Sequence, residues 1–168
     1  MSESISSIML TSALFLLMFS LLASFLIVTN NVASEYEKVR FNDIANYIAR
    51  NLIDLTTLSY ESSYDSISLG IVLQIPTEVN NKGYSISIIK ENNIYEVLVM
   101  SDTNSFIYGK APLWAANGTQ IQPSRTVTIP SLGTVYCKSK IYSGTEKIVV
   151  WATKQNGVIV VGIGTLNR

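Results

Sequence analysis

The sequence predicts an α+β protein, in which a long N-terminal helix, hydrophobic and then amphipathic, is followed by an antiparallel β-sandwich of about eight strands. Three observations carry that expectation. Residues 4–34 contain no Asp, Glu, Lys or Arg. Phe41, Ile44, Ile48, Leu52 and Leu55 then recur at steps of three and four. Beyond Ser66 the apolar residues shift to a period of two, in short runs rich in Ile, Val, Tyr and Thr.

The first element is the uncharged stretch "SSIMLTSALFLLMFSLLASFLIVTN" at 6–30. Its dense part, residues 8–28, has the roughly 20 residues needed to cross about 30 Å of hydrocarbon as a helix. A cleavable secretory signal requires a positive n-region, a shorter apolar core and a small-residue cut site. Here "MSESISS" holds no basic residue, the core is too long, and a cut after Ala33 places Asn31 at the minus-three position. A retained membrane or filament-core segment is therefore expected. A core helix of a soluble protein would carry a polar face. The small residues Ser12, Ala13, Ser20, Ala23 and Ser24 are expected to let helices approach closely, in a membrane or in a filament core.

Orientation is pulled two ways. Lys38 and Arg40 follow the apolar stretch and none precedes it, which by the positive-inside rule places the rest of the chain in the cytoplasm. An uncharged Ser-, Thr-, Asn- and Tyr-rich composition and the sequon Asn117-Gly118-Thr119 oppose that. The expectation is an extracytoplasmic domain on the cell membrane or cell surface, with Asn117 as a glycosylation acceptor.

From Phe41 onward the helix becomes amphipathic. At 100° per residue the five apolar positions fall within about 80° of arc, with Asp43, Asn46, Arg50 and Asp54 opposite. No Pro or Gly occurs before Gly70, so one helix is expected over about 4–58, near 80 Å long. The stripe is expected to pack on the domain that follows. The division expected is a helix over 1–60 and a β-domain over 61–168.

The strands are read at 66–76, 84–90, 94–100, 105–110, 125–130, 134–142, 147–154 and 158–166. Asn156-Gly157 between the last two is a hairpin signal, because a type I′ turn needs positive φ at both central residues. "ENN" at 91–93 marks a second short hairpin. Near-regular strands with no helical insert predict sheets packed as a sandwich or closed as a barrel. The longest connection, 113–124, carries Trp114 and the sequon, and the ring is expected to fold back onto the sheet.

Chemistry is sparse. The 168 residues carry 12 basic and 12 acidic side chains, so no basic field exists to hold nucleic acid. With no His, zinc and haem ligation and the commonest general base are missing, and one Cys allows no internal disulfide. "VGIGTL" near the C-terminus opens no helix, so its glycines read as strand twist or close packing rather than a phosphate loop. Glu61 and Asp65 read as solvated charges, and Cys137 as a buried, inert thiol. The expectation is no enzyme, no cofactor, no metal and no small-molecule substrate. A single-pass receptor or binding domain is the reading from another class, and it would predict a polar pocket.

The layout resembles type IV pilins and the wider archaeal pilin-like superfamily, which includes archaellins and the archaellum stator proteins F and G. The resemblance covers the whole chain as architecture. It is carried by "SESISSIMLTSALFLLMFSLLASFLIVTN" and, more loosely, by "LQIPTEVNNKGYSISII" at 73–89. It implies a structural, membrane-anchored stator or accessory component of an archaellum or type IV pilus-like machine. The alternative is a major or minor pilin of an adhesion filament. Pilins carry a short basic leader, and residues 1–7 hold no Lys or Arg, so either the chain is not processed or it is numbered in a form where the leader question does not arise; the unprocessed stator proteins resemble it better there. The partners implied are the membrane or a self-assembled helix core, further copies of the chain in a homo-oligomer, and envelope-lattice or filament proteins.

Overall fold

A computed structural model describes residues 2–114, 119–121, 126–144 and 147–166. The chain forms two compact units, Met1–Tyr36 and Glu37–Arg168, and one helix, α1 (Ser2–Glu61), contributes to both. Periodicity alone ends this helix at about 58. In the structure its last turn is closed by a bond from the Ser62 N–H to the Leu58 carbonyl at 3.1 Å.

The second unit is an α+β domain with ten strands in two sheets among the described residues. The strands are β1 (Ser66–Val72), β2 (Tyr84–Glu91), β3 (Ile94–Ser101), β4 (Tyr108–Leu113), β5 (Gln120–Ile121), β6 (Thr126–Ile129), β7 (Gly133–Cys137), β8 (Lys140–Tyr142), β9 (Lys147–Gln155) and β10 (Val158–Leu166). One sheet has the order β1-β9-β10-β7-β6, with the two-residue β5 added in parallel to β10. The other has the order β4-β3-β2-β8 and is antiparallel throughout.

Three two-residue turns set the hairpin registers. Asn156 (φ 50°) and Gly157 (φ 79°) join β9 to β10, and Asn92 (φ 49°) and Asn93 (φ 64°) join β2 to β3. Asn80 (φ 53°) and Asn81 (φ 57°) make a third, closed by the Val79–Lys82 bridge. Asn and Gly tolerate the left-handed region that such turns need.

Two apolar clusters hold the domain. The larger takes Phe41, Ile44, Ile48, Leu52 and Leu55 from α1 and inward residues of both sheets, among them Ile86, Val97, Val99, Val150 and Val161. The smaller lies on the other face of the first sheet around Trp151, with Val127, Ile129, Val135, Val149 and Val160. Hence "IVVWA" and "VIVVGIG" are continuous apolar runs: alternate residues of β9 and β10 feed opposite clusters. Trp151 is fully buried between Gly70 and Gly162, its register partners on the neighbouring strands. At Gly70 the missing side chain leaves room for Ile129 and Leu132, whose methyl carbons would stand 2.5 and 3.1 Å from a Cβ there.

The strand expected at 66–76 ends at Val72 as β1, and beyond that the pattern differs from the sequence reading in three places. The run expected at 105–110 is displaced, and β4 covers Tyr108–Leu113. Its first residues are claimed by a tight loop, in which the Asn104 side chain accepts from the Phe106 N–H at 3.0 Å and the Asn104 carbonyl from the Ile107 N–H. Pro112 is accommodated because β4 is an edge strand. The run 134–142 is two strands: β7 lies in the first sheet and β8 in the second, with the chain changing sheets at Lys138-Ser139. The third difference is β5, whose two residues are too short to leave a periodic signal.

Candidate functional site

The first unit is defined by what does not cover it. Every residue from 7 to 32 is exposed, and within this stretch lies a window with mean hydropathy 2.3 that is long and apolar enough to cross a membrane. Fifteen large apolar side chains between 8 and 28 stand in the open, Leu16 at 72% and Phe25 at 69% exposure. Burying each is worth about 1.5–3 kcal/mol, so leaving all of them in water costs on the order of tens of kcal/mol.

Four of the hydroxyls along this stretch are turned inward on the helix itself. Thr11, Ser12, Ser24 and Thr29 each donate to the carbonyl four residues back, at 2.7, 2.9, 2.9 and 2.8 Å. A hydroxyl bonded this way presents mostly methyl and methylene surface, which suits an apolar surrounding. Ser12, Ala13, Ser20, Ala23 and Ser24 are all exposed. At 100° per residue they share about 120° of arc, a face on which another helix can approach closely. Asn117 lies outside the described residues.

In the second unit, Phe41, Ile48 and Leu52 are fully buried, Leu55 is 2% exposed and Ile44 6%. Contact with β4 is so close that a Cβ on Gly109 would stand 2.3 Å from the Phe41 carbonyl carbon and the Asn42 nitrogen. Asn42 Oδ1 also accepts from the Lys110 N–H at 3.1 Å, a side chain from the helix entering the strand edge. The Phe41 ring meets the Tyr84 ring at 5.6 Å between centroids, tilted by 51°. Tyr84 donates its hydroxyl to the Pro76 carbonyl, and burial pushes its pKa up to about 12.

Glu37 is the residue that sequence reasoning missed. It is 1% exposed, and its Oε1 accepts from Lys82 Nζ at 2.8 Å and from Asn80 Nδ2 at 2.7 Å. Its Oε2 is buried and has no hydrogen-bond partner among the described residues. Burial pushes the carboxyl pKa up, but the two donated hydrogen bonds and the Lys82 charge outweigh it and hold the group below the ordinary carboxylate value. The signal was present: Glu37 precedes Phe41, Ile44 and Ile48 by four, seven and eleven residues, which puts a charge on the apolar stripe.

Trp114 is 69% exposed rather than folded onto the sheet, because Gly109, Ala111 and Leu113 point inward and the alternation turns the next residue out. Cys137 is half-buried beside the Trp151 cluster. Glu61 and Asp65 are exposed. Among the described residues no group of three or more His, Cys, Asp or Glu is placed to hold a metal ion.

Comparison with known protein families, with characterised proteins and with solved structures finds no match for this chain.

Proposed function

We propose that this chain is a non-enzymatic structural protein of the cell surface, anchored in the membrane through residues 8–28 of α1. In this reading it is a stator or accessory component of an archaellum or type IV pilus-like machine, with its β-domain extracytoplasmic. The observation that carries the reading is the contrast within one helix. Fifteen large apolar side chains are left uncovered in the first unit, while the second half of the same helix is a core element of the β-domain. The resemblance of the N-terminal segment to the archaeal pilin-like superfamily supplies the kind of machine.

A filament subunit, packing the same segment against copies of itself, is the second reading. It is favoured by the small-residue face of Ser12, Ala13, Ser20, Ala23 and Ser24. Fractionating native material into sheared filaments and detergent-soluble membrane separates the two. The anchored reading expects the chain in the membrane fraction; recovery in sheared filaments selects the second, and recovery in the soluble fraction sinks both. Protease shaving of intact cells tests the orientation, since a β-domain that survives while other surface proteins are cut lies inside.

A further inference from the structure

The first sheet nearly closes on itself. Its two outer strands, β1 and β6, share no ladder, yet at one end they touch: a Cβ on Gly70 would stand 2.5 Å from Ile129 Cδ1. Toward the other end the strands part. They leave a cleft of about 220 Å³ lined by Ser68, Thr126, Val127, Thr128, Thr153 and Gln155.

The chemistry of this lining is narrow. Among the described residues, Ser68, Thr153 and Gln155 line it from the sheet face that carries Trp151, with Val127 as its one apolar side chain, and Thr126 and Thr128 line it along the β6 edge; none of these is charged or aromatic. Thr153 is 7% exposed and lies two residues along β9 from Trp151, on the same face. The floor is firm, because Val127 packs in the cluster around the fully buried Trp151. An ion would find no counter-charge among the described residues of the lining. An apolar ligand would leave the hydroxyls unpaired. An added β-strand needs a longer run of free edge than remains between Ser68 and the closure at Gly70. A compact neutral polyol fits, since each hydroxyl and the carboxamide can both donate and accept. The mouth of a partly closed barrel is also a common place for a small ligand.

We propose that this cleft binds one neutral pyranose, either a free sugar or the terminal residue of a glycan chain. It is the polar pocket that a binding domain would need, and it stands whether or not α1 lies in a membrane. Without an aromatic platform the affinity is modest, with a Kd of about 1–10 mM.

The test is amide NMR on the isotope-labelled full chain in detergent micelles, titrated separately with glucose, galactose, mannose and N-acetylglucosamine and then with a disaccharide of any that binds. Shifts confined to Ser68, Thr126, Thr128, Thr153 and Gln155, with Kd raised about 10-fold in Thr153→Val, support the site. Thr153→Val keeps shape and strand propensity, and Gln155→Ala, at the exposed rim, gives a second variant that leaves the core untouched. A disaccharide that binds as tightly as its monosaccharide assigns the site to a chain terminus, and one that is excluded assigns it to free sugar. If no sugar moves these amides at about 50 mM, or if Kd is unchanged in both variants, the proposal is wrong.

Discussion

Over residues 8–28, α1 carries large apolar side chains on every side and none is buried; over 41–55 it carries them on one stripe, and Phe41, Ile44, Ile48, Leu52 and Leu55 are all buried. The backbone is the same helix in both. What differs is the surrounding each half requires. A helix apolar all round satisfies its backbone internally and asks for an apolar medium on all sides. A striped helix asks for one packed neighbour and tolerates water elsewhere, as Asp43 and Asn46 do at the surface. Damage to the two halves should accordingly appear in different measurements.

The largest effect is expected in the first half. Ala13→Lys with Ala23→Lys places two charges in the apolar stretch, at about 3 kcal/mol each on insertion scales, or about 6 kcal/mol together. Membrane retention should collapse, read as transfer of the chain from the detergent-soluble membrane fraction to soluble or aggregated material. The domain's own unfolding midpoint should not move. Unchanged fractionation would overturn the anchored reading, and a lowered domain midpoint would break the separation of the two halves.

The next effects belong to the second half. Phe41→Ala removes a fully buried ring that packs on Tyr84, and should cost about 3–5 kcal/mol of domain stability. Gly109→Ala should cost about 1–3 kcal/mol, because its Cβ collides with helix backbone rather than with a side chain able to turn away. Both are measured by denaturant unfolding followed through the buried Trp151 in a Trp114→Phe background. Membrane retention should be untouched in each. A Gly109→Ala variant as stable as wild type would mean that α1 and β4 are not in backbone contact.

Much of this was legible in the residues. The charge gap, the stripe at 41–55 and the Asn156-Gly157 turn are local patterns, and local patterns determine helices and tight turns. The places where reading fell short are those decided by distant partners. Nothing within 134–142 says that the chain changes sheets at Lys138-Ser139, because both pieces are good strands and only their pairing differs. The displaced β4 depends on how Asn104 uses its side chain, a choice that periodicity ignores. Glu37 was passed over because a charge among Glu35, Lys38 and Arg40 looks like a solvated cluster until Asn80 and Lys82 arrive from 43 and 45 residues away. The cleft between β1 and β6 joins residues from three strands and has no sequence signature at all.

Glu37 gives the smallest effect and the sharpest one, since it acts on the domain alone and depends on pH. Its pKa is depressed in the folded state, so the stabilisation it provides is fully present above the ordinary carboxylate value and is lost as pH falls through the folded value. Removing the base should hurt more than removing the acid. Lys82→Met leaves a buried carboxylate with Asn80 alone and should cost about 2 kcal/mol, below the usual cost of breaking a buried pair because Lys82 keeps 37% of its side chain exposed. Glu37→Gln still accepts from Asn80 and should cost about 1 kcal/mol. In the Glu37→Gln variant the difference from wild type should stay constant between about pH 5.5 and 8 and shrink below about pH 4.5. A difference that persists unchanged to pH 3 would show that Glu37 contributes shape and not charge. If Lys82→Met proves the milder change, the carboxylate is not held by its cation, and the grip of the domain on this part of α1 rests on Phe41 and its neighbours instead.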